Sequence, residues 1–324
     1  MDNLIFSLNA TIPVFLLMLL GVFFRRIGWM EESFAGKCNT FVFRVALPVL
    51  VFEDLATVDF GQVWNLRFVG FCFGATALSI TIVTVIAFLL VKPAERGEFV
   101  QAAYRSSAAL LGIAFIQNIY GDSGMAPLMI IGSVPLYNIF AVVVLSVLSP
   151  ETAGDRAAGE RSAAEKRALW KKTAKGILTN PILIGILLGL LWSALGIPLT
   201  GILQKTVKSV GAVATPLGLM AMGAGFDAKR ALESGKTSIL AAFFKLIGLA
   251  VIFLPIAVGM GFRSQELVAI LVMLGSATTV SSYVMAKNMG HEGTVSGSTV
   301  MLTTLLSAFT LTFWLWLLRN FGLI

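Results

Sequence analysis

The chain has 324 residues, of which 57% are apolar and only 13% charged, and its mean hydropathy is +0.89. A soluble domain carries about 25% charged residues, so a water-soluble globule is excluded and a membrane protein is expected. The net charge of +7 does not argue for nucleic acid as a partner, because a membrane chain collects Lys and Arg in its cytoplasmic loops.

Ten apolar segments can be drawn, each near the ~20 residues that a helix needs to cross hydrocarbon. They run over 4–26, 34–55, 64–91, 98–120, 125–148, 176–195, 199–224, 236–259, 265–287 and 294–318. They are rich in Gly, Leu and Phe and lack strand-like alternation, so helices are preferred to a barrel. Span 1 is preceded by Asp2 and by no basic residue, whereas Arg25 and Arg26 follow it. That order reads as a first helix inserted N-terminus outward rather than a cleaved signal peptide. Span 2 holds Arg44 and, at its outer end, Glu53 and Asp54. Cys38 and Cys72 have no metal or redox spacing and are expected to pack as small hydrophobes.

Span 4 is interrupted by polar residues. Arg105, Ser106 and Ser107 lie in its first third, Gln117 and Asn118 near its end, and Gly112 between. Polar groups inside a membrane are costly and usually face a cavity or a partner. Arg105 lies within snorkelling reach of the inner surface and reads either as a cation that snorkels to headgroups or as one that lines the inner mouth and attracts an anion, with Ser106 and Ser107 placed to cap a half-helix. Span 5 adds Tyr137 and Asn138 after Pro135, a kink beside a cavity. The segment 149–175 is polar, Ala- and charge-rich. It separates a first half, 1–148, from a second, 176–324, and its basic residues are expected to meet anionic headgroups in the cytoplasm. In the second half, MGAGF at 222–226 reads as close helix packing, and Lys245 is a further cation inside a span. Span 9 carries Ser276, Thr278, Thr279, Ser281 and Ser282 beside Gly275, denser than packing requires. His291, the only histidine, reads as a solvated loop residue.

The halves are related. A shift of 168 places Thr11, Pro13, Leu19, Leu20, Gly21 and Gly28 on Thr179, Pro181, Leu187, Leu188, Gly189 and Gly196. In the same register Ala46, Pro48, Ala56 and Asp59 fall on Ala214, Pro216, Ala224 and Asp227, and at 169 Gly121 falls on Gly290. Five spans per half is an odd number, so the second half runs through the membrane upside down, the arrangement of many secondary transporters. Spans 4 and 9, both interrupted, are repeat mates. With the N-terminus outside, only Arg67, Arg263 and Arg319 among the basic residues fall in outer connections, so both termini are expected outside. No HExxH, GxSxG, CxxC or GxxxxGK[ST] motif is present, and no enzyme activity, metal or cofactor is expected.

Several stretches then carry a resemblance: Pro13 with Gly21, ALPVLVF (46–52), GIAFIQNIYGDSG (112–124), VPLYN (134–138), NPILIGILLGLL (180–191), TPLGLMAMGAGF (215–226), and SSYVMAKNMG (281–290) leading into SGSTVMLTTLLSAFTL (296–311). In this order the chain resembles bacterial members of the auxin efflux carrier family, which includes malonate-type carriers and plant auxin exporters. The resemblance implies a fold similar to sodium/proton antiporters and bile-acid transporters, with broken, crossing helices 4 and 9. It also implies a scaffold of helices 1, 2, 6 and 7, and elevator-like movement of organic anions by the rest. The family's Asn-x₄-Gly-x-Pro in helix 4 reads Ser107, Gly112 and Ala114 here, and no proline follows Pro255, so the breaks rest on Gly, Ser and Thr.

The expectation is therefore an all-α membrane protein of ten helices in two inverted five-helix repeats, in a bacterial inner membrane. It moves a small organic anion, a mono- or dicarboxylate. The site is expected at Arg105, Ser106, Ser107, Gln117, Asn118, Tyr137, Asn138, Thr278, Thr279 and Ser281. The alternatives are a sodium- or proton-coupled symporter dependent on Glu53 or Asp54, and a membrane sensor that binds without transporting. Expected partners are the anion, the lipid bilayer and a second copy of the chain in a homodimer, with no nucleic acid.

Overall fold

A computed structural model describes residues 2–57, 65–108, 116, 119–120, 124–149, 171 and 174–324. Where apolar sequence runs on without water to satisfy its peptide groups, the chain closes its hydrogen bonds locally and forms helix. The principal helices are α1 (Asp2–Arg26), α2 (Glu32–Ala56), α3 (Leu66–Leu90), α4 (Arg96–Tyr104), α5 (Ala126–Val147) and α6 (Pro181–Ala194). They continue with α7 (Gly201–Ala224), α8 (Gly235–Gly259), α9 (Ser264–Gly275), α10 (Ser281–Asn288) and α11 (Thr294–Asn320). Among the described residues there is no β-strand. Helices α2, α3, α5, α7, α8 and α11 are long and apolar enough to cross a bilayer. Their outer faces carry large apolar side chains such as Leu66, Leu89 and Ile202 in the open, far beyond what a water-exposed surface sustains. Two helix starts carry side-chain caps. The Asn65 Oδ1 accepts the Phe68 N–H at 3.0 Å, and the Asn180 Oδ1 accepts the Ile182 N–H at 2.9 Å ahead of Pro181.

The helices pack around two main cores. One is built from α3, α4, α5, α8, α9 and α11, with Phe68, Phe99, Met129, Phe253, Leu271 and Leu311 at its centre. The other joins α1, α2, α6 and α7 to the facing sides of α5, α10 and α11, through Met18, Leu47, Ile186, Leu219 and Met285. In the second, backbones touch. A Cβ on Gly21 would lie 2.1 Å from the Met220 carbonyl oxygen, and one on Gly189 would lie 2.9 Å from that of Phe52. These two contacts are related by the shift of 168, which carries Gly21 to Gly189 and Phe52 to Met220.

Helix limits recur in the same way. Adding 168 to Arg26, Ala56, Arg96 and Ala126 gives Ala194, Ala224, Ser264 and Thr294, each the corresponding limit of a helix in the second half. Adding 169 to Leu66 and Leu90 gives Gly235 and Gly259, the limits of α8.

Both polar stretches interrupt their helices. α4 stops at Tyr104 and Arg105 turns extended (φ −80°, ψ 115°). α9 stops at Gly275, Ser276 is extended (φ −76°, ψ 165°), and helix resumes at Ser281. The two extended pieces meet in an antiparallel bridge between Ser106 and Thr278, and the Ser107 N–H donates to the Ala277 carbonyl at 3.0 Å. Pro is absent from both breaks, and buried side chains take the carbonyls that a broken helix leaves without partners. Ser106 Oγ donates to Met273 O, Tyr137 Oη to the same oxygen at 3.0 Å, and Lys245 Nζ to Leu274 O at 2.5 Å. In return Thr278 Oγ1 donates to Ala102 O at 2.8 Å. Each break thus supplies a hydroxyl to the carbonyl two residues before the end of the other's helix.

Lys245 sits in a π-turn, Phe244–Gly248, and the Trp314 indole N–H takes the neighbouring Leu246 carbonyl at 3.1 Å. A second π-turn, Val42–Ala46, surrounds Arg44. His291 departs from the solvated residue expected. It is buried, with Nε2 2.9 Å from Leu145 O. The loop is drawn inward because the buried Glu98 carboxylate accepts the Gly293 and Ser296 N–H groups at 2.8 and 2.9 Å and so caps α11. Cys38 and Cys72 are buried free thiols. The linker assigned to 149–175 lies almost wholly outside the described residues.

Candidate functional site

A cavity of about 830 Å³ lies at the seam between the two cores. On one side are the breaks, α5 and the start of α10; on the other are α2 and α7. Of the residues expected from sequence, Arg105, Ser106, Ser107, Tyr137, Asn138, Thr279 and Ser281 line it. Thr278 stands at the crossing but not on the cavity wall; its hydroxyl is committed to Ala102 O and its N–H to Thr303 Oγ1 at 3.0 Å. Gln117 and Asn118, with Gly112 and Ala114, lie outside the described residues.

Arg105 is a buried cation on the cavity wall. The extended backbone at the break turns its side chain off the helix, and the guanidinium is 4% exposed. Nη2 donates to the Asn138 Oδ1 at 2.5 Å, and Nη1 lies 2.7 Å from the Met285 sulfur. Asn138 is itself fixed, its Nδ2 donating to Val134 O one turn back on α5 at 3.0 Å. A guanidinium has five N–H donors and cannot shed its charge. Among the described residues no carboxylate pairs with it. The result is a desolvated cation, oriented by one amide and facing an open space, which is a poor arrangement for stability unless an anion completes it.

The seryl and threonyl groups divide the work. Ser106 departs from the N-terminal cap expected of it: its hydroxyl goes to the carbonyl end of α9. On the cavity wall at the opening of α10, Thr279 Oγ1 and Ser281 Oγ lie 3.2 Å apart and share a hydrogen bond. A helix N-terminus carries partial positive charge and suits an anion, and this one shares its cavity with Arg105. Tyr137 contributes rigidity through Met273 O, and its own carbonyl accepts from Tyr104 Oη at 3.2 Å.

Five further polar residues line the cavity: Glu53, Asp54 and Lys208, together with Thr57 and Thr215. The charged three carried a signal in the sequence, being ionisable groups within or at the edge of apolar spans. What was missing was the pairing of α2 with α7, which brings residues more than 150 positions apart to one wall.

With this geometry in place, comparison with known proteins identifies the family. The family model described as "Membrane transport protein" covers residues 6–315. No curated protein matches the chain. The match takes in both halves, both breaks and every described wall of the cavity. The chain therefore belongs to the auxin efflux carrier family of membrane transport proteins and is a multi-pass membrane transporter.

Proposed function

We propose that the protein carries a small organic anion with a carboxylate, by an elevator-like alternation in which α3–α5 and α8–α11 move against α1, α2, α6 and α7. Arg105 carries the reading: a buried cation without a carboxylate partner, facing an 830 Å³ cavity beside a helix N-terminus. The two cores support a division into a unit that moves and a unit that holds, since the cavity follows the seam between them. The recurring helix limits and the paired glycine contacts support ten spans in two inverted five-helix repeats, 1–148 and 176–324. Broken spans 4 and 9 would cross at Ser106 and Thr278.

The distribution of Lys and Arg favours both termini outside, in a bacterial inner membrane. In that orientation Glu53 and Asp54, on the cavity wall, stand near the outer end of α2.

Proteoliposomes test this. Loaded in turn with unlabelled acetate, butyrate or benzoate, they are expected to accumulate the labelled form of at least one by counterflow, saturably. Alanine at Asn138 or Thr279 is expected to lower the rate about 10-fold or more, the order of effect of losing a hydrogen bond to a charged group. Saturable binding without counterflow would assign the protein to sensing instead. Unchanged rates in both variants would remove these residues from the site.

A further inference from the structure

Lys245 is a buried cation that stands behind the break of span 9 rather than on the cavity wall. It is 0% exposed. Its Nζ donates to the Leu274 carbonyl at 2.5 Å, and among the described residues no carboxylate pairs with it. An ionisable group at this depth is expensive to keep and points to function.

The place it occupies is the carbonyl end of α9. There Val272 O takes the Ser276 N–H at 3.1 Å, Met273 O takes the Ser106 and Tyr137 hydroxyls, and Leu274 O takes the ammonium. The π-turn Phe244–Gly248 brings α8 against this end; a Cβ on Gly275 would lie 3.7 Å from the Leu246 carbonyl oxygen. The carbonyl end of a helix carries partial negative charge. In transporters with discontinuous spans, such ends and the unwound carbonyls beside them hold the coupling sodium.

A hydrogen bond alone does not call for a charge. Thr278 serves the carbonyl end of α4 with a neutral hydroxyl. The mate of Lys245 at a shift of 169 is Thr76, also neutral, whose hydroxyl faces the Met273 sulfur at 3.8 Å. The ammonium is thus an addition of the second half, not a demand of the duplicated frame.

We infer that Lys245 fills a metal-cation position at the break of span 9 with a tethered ammonium, and that transport therefore draws on no sodium gradient. A coupling sodium ion binds on one side of the membrane and leaves on the other; a charge on a four-carbon stem does neither. Because family membership alone makes the chain a transporter, Lys245 keeps this role whether or not the substrate is a carboxylate.

Melting temperatures of the purified protein in the chlorides of sodium, choline and propylammonium, at one ionic strength, test the position. A cation that binds the folded protein stabilises it by mass action. The wild type is expected to melt at the same temperature in sodium and in choline. Lys245→Ala leaves a space beside the bare Leu274 carbonyl. It is expected to melt lower in choline and to regain about 2 °C or more, saturably, in sodium or propylammonium. Lys245→Met fills that space, and Thr278→Val bares a carbonyl that had no cation; neither is expected to respond. A wild type stabilised by sodium would overturn the inference. So would a Lys245→Ala loss that neither cation restores, or a recovery that Thr278→Val shares. If the alanine variant does not fold, the wild-type comparison decides alone. Counterflow of labelled acetate, butyrate or benzoate is expected to run at one rate in sodium and in choline. A rate that falls in choline would overturn the inference and leave the carboxylate reading intact. Absence of counterflow in both media would count against that reading, with the melting temperatures still deciding the role of Lys245.

Discussion

Replacing Arg105 by methionine is expected to abolish carboxylate transport without unfolding the protein. Removing one member of a buried, hydrogen-bonded charge pair costs on the order of 2–5 kcal/mol of binding, roughly 30-fold to several thousand-fold. Stability should move the other way or not at all. The guanidinium is 4% exposed, has Asn138 and Met285 as its contacts and pays for burial without a carboxylate in return, so a methionine of similar length relieves a desolvation penalty. Arg105→Lys keeps the charge but loses the planar fork that reaches Asn138 and a carboxylate together, and should fall between. Transport rates with melting temperatures in the same detergent separate the two effects. A methionine variant that transports normally would remove the anion from this place; one that fails to fold would make Arg105 a structural residue.

The second large effect concerns the crossing. Thr278→Val removes the hydroxyl that satisfies Ala102 O and leaves a buried carbonyl bare, which costs about 1–3 kcal/mol. Ser106→Ala removes the equivalent group on the other side, but Met273 O retains Tyr137 Oη at 3.0 Å, so the loss should stay near 1 kcal/mol or below. Tyr137→Phe alone is spared for the same reason. The double variant Ser106→Ala with Tyr137→Phe strips that oxygen completely, and its destabilisation should exceed the sum of the two single losses. Additivity is expected for independent sites and fails for groups that share a partner. Denaturation of the wild type and the four variants in detergent measures this directly. Simple additivity, or equal costs for Thr278→Val and Ser106→Ala, would contradict the capping scheme.

Much of this architecture could be read from the chain. The apolar segments, the register of 168 and the two polar interruptions are local or periodic, and periodic signals survive in a single sequence. The helix limits fall where that register places them, as with Arg26 and Ala194. Breaks without proline were also foreseeable from Gly, Ser and Thr, but not their means of support. Ser106 reaches an oxygen 167 residues away and Thr278 one 176 away, and nothing in either neighbourhood marks such a partner. Hence Ser106 reads from sequence as an N-cap and turns out to serve a carbonyl end. Hence also Thr278 reads as a ligand and is occupied by structure. His291 was misread because its burial depends on Glu98 capping a helix nearly two hundred residues downstream. Asp54 was visible as an intramembrane carboxylate; its place on the wall of the same cavity as Arg105 required α2, α5 and the breaks to be assembled in space.

The central claim is that two interrupted spans meet at Ser106 and Thr278 and make the place where the anion pauses. Antiparallel bridge partners have Cα atoms about 4.5–5.5 Å apart, inside the range of about 4.4–6.8 Å that a disulfide needs. With Cys38 and Cys72 replaced by alanine, the double variant Ser106→Cys/Thr278→Cys should cross-link under mild oxidation, joining the peptides that contain residues 106 and 278 in a mass spectrum. If both thiols instead remain free to alkylation after oxidation, the two spans do not cross where this account requires.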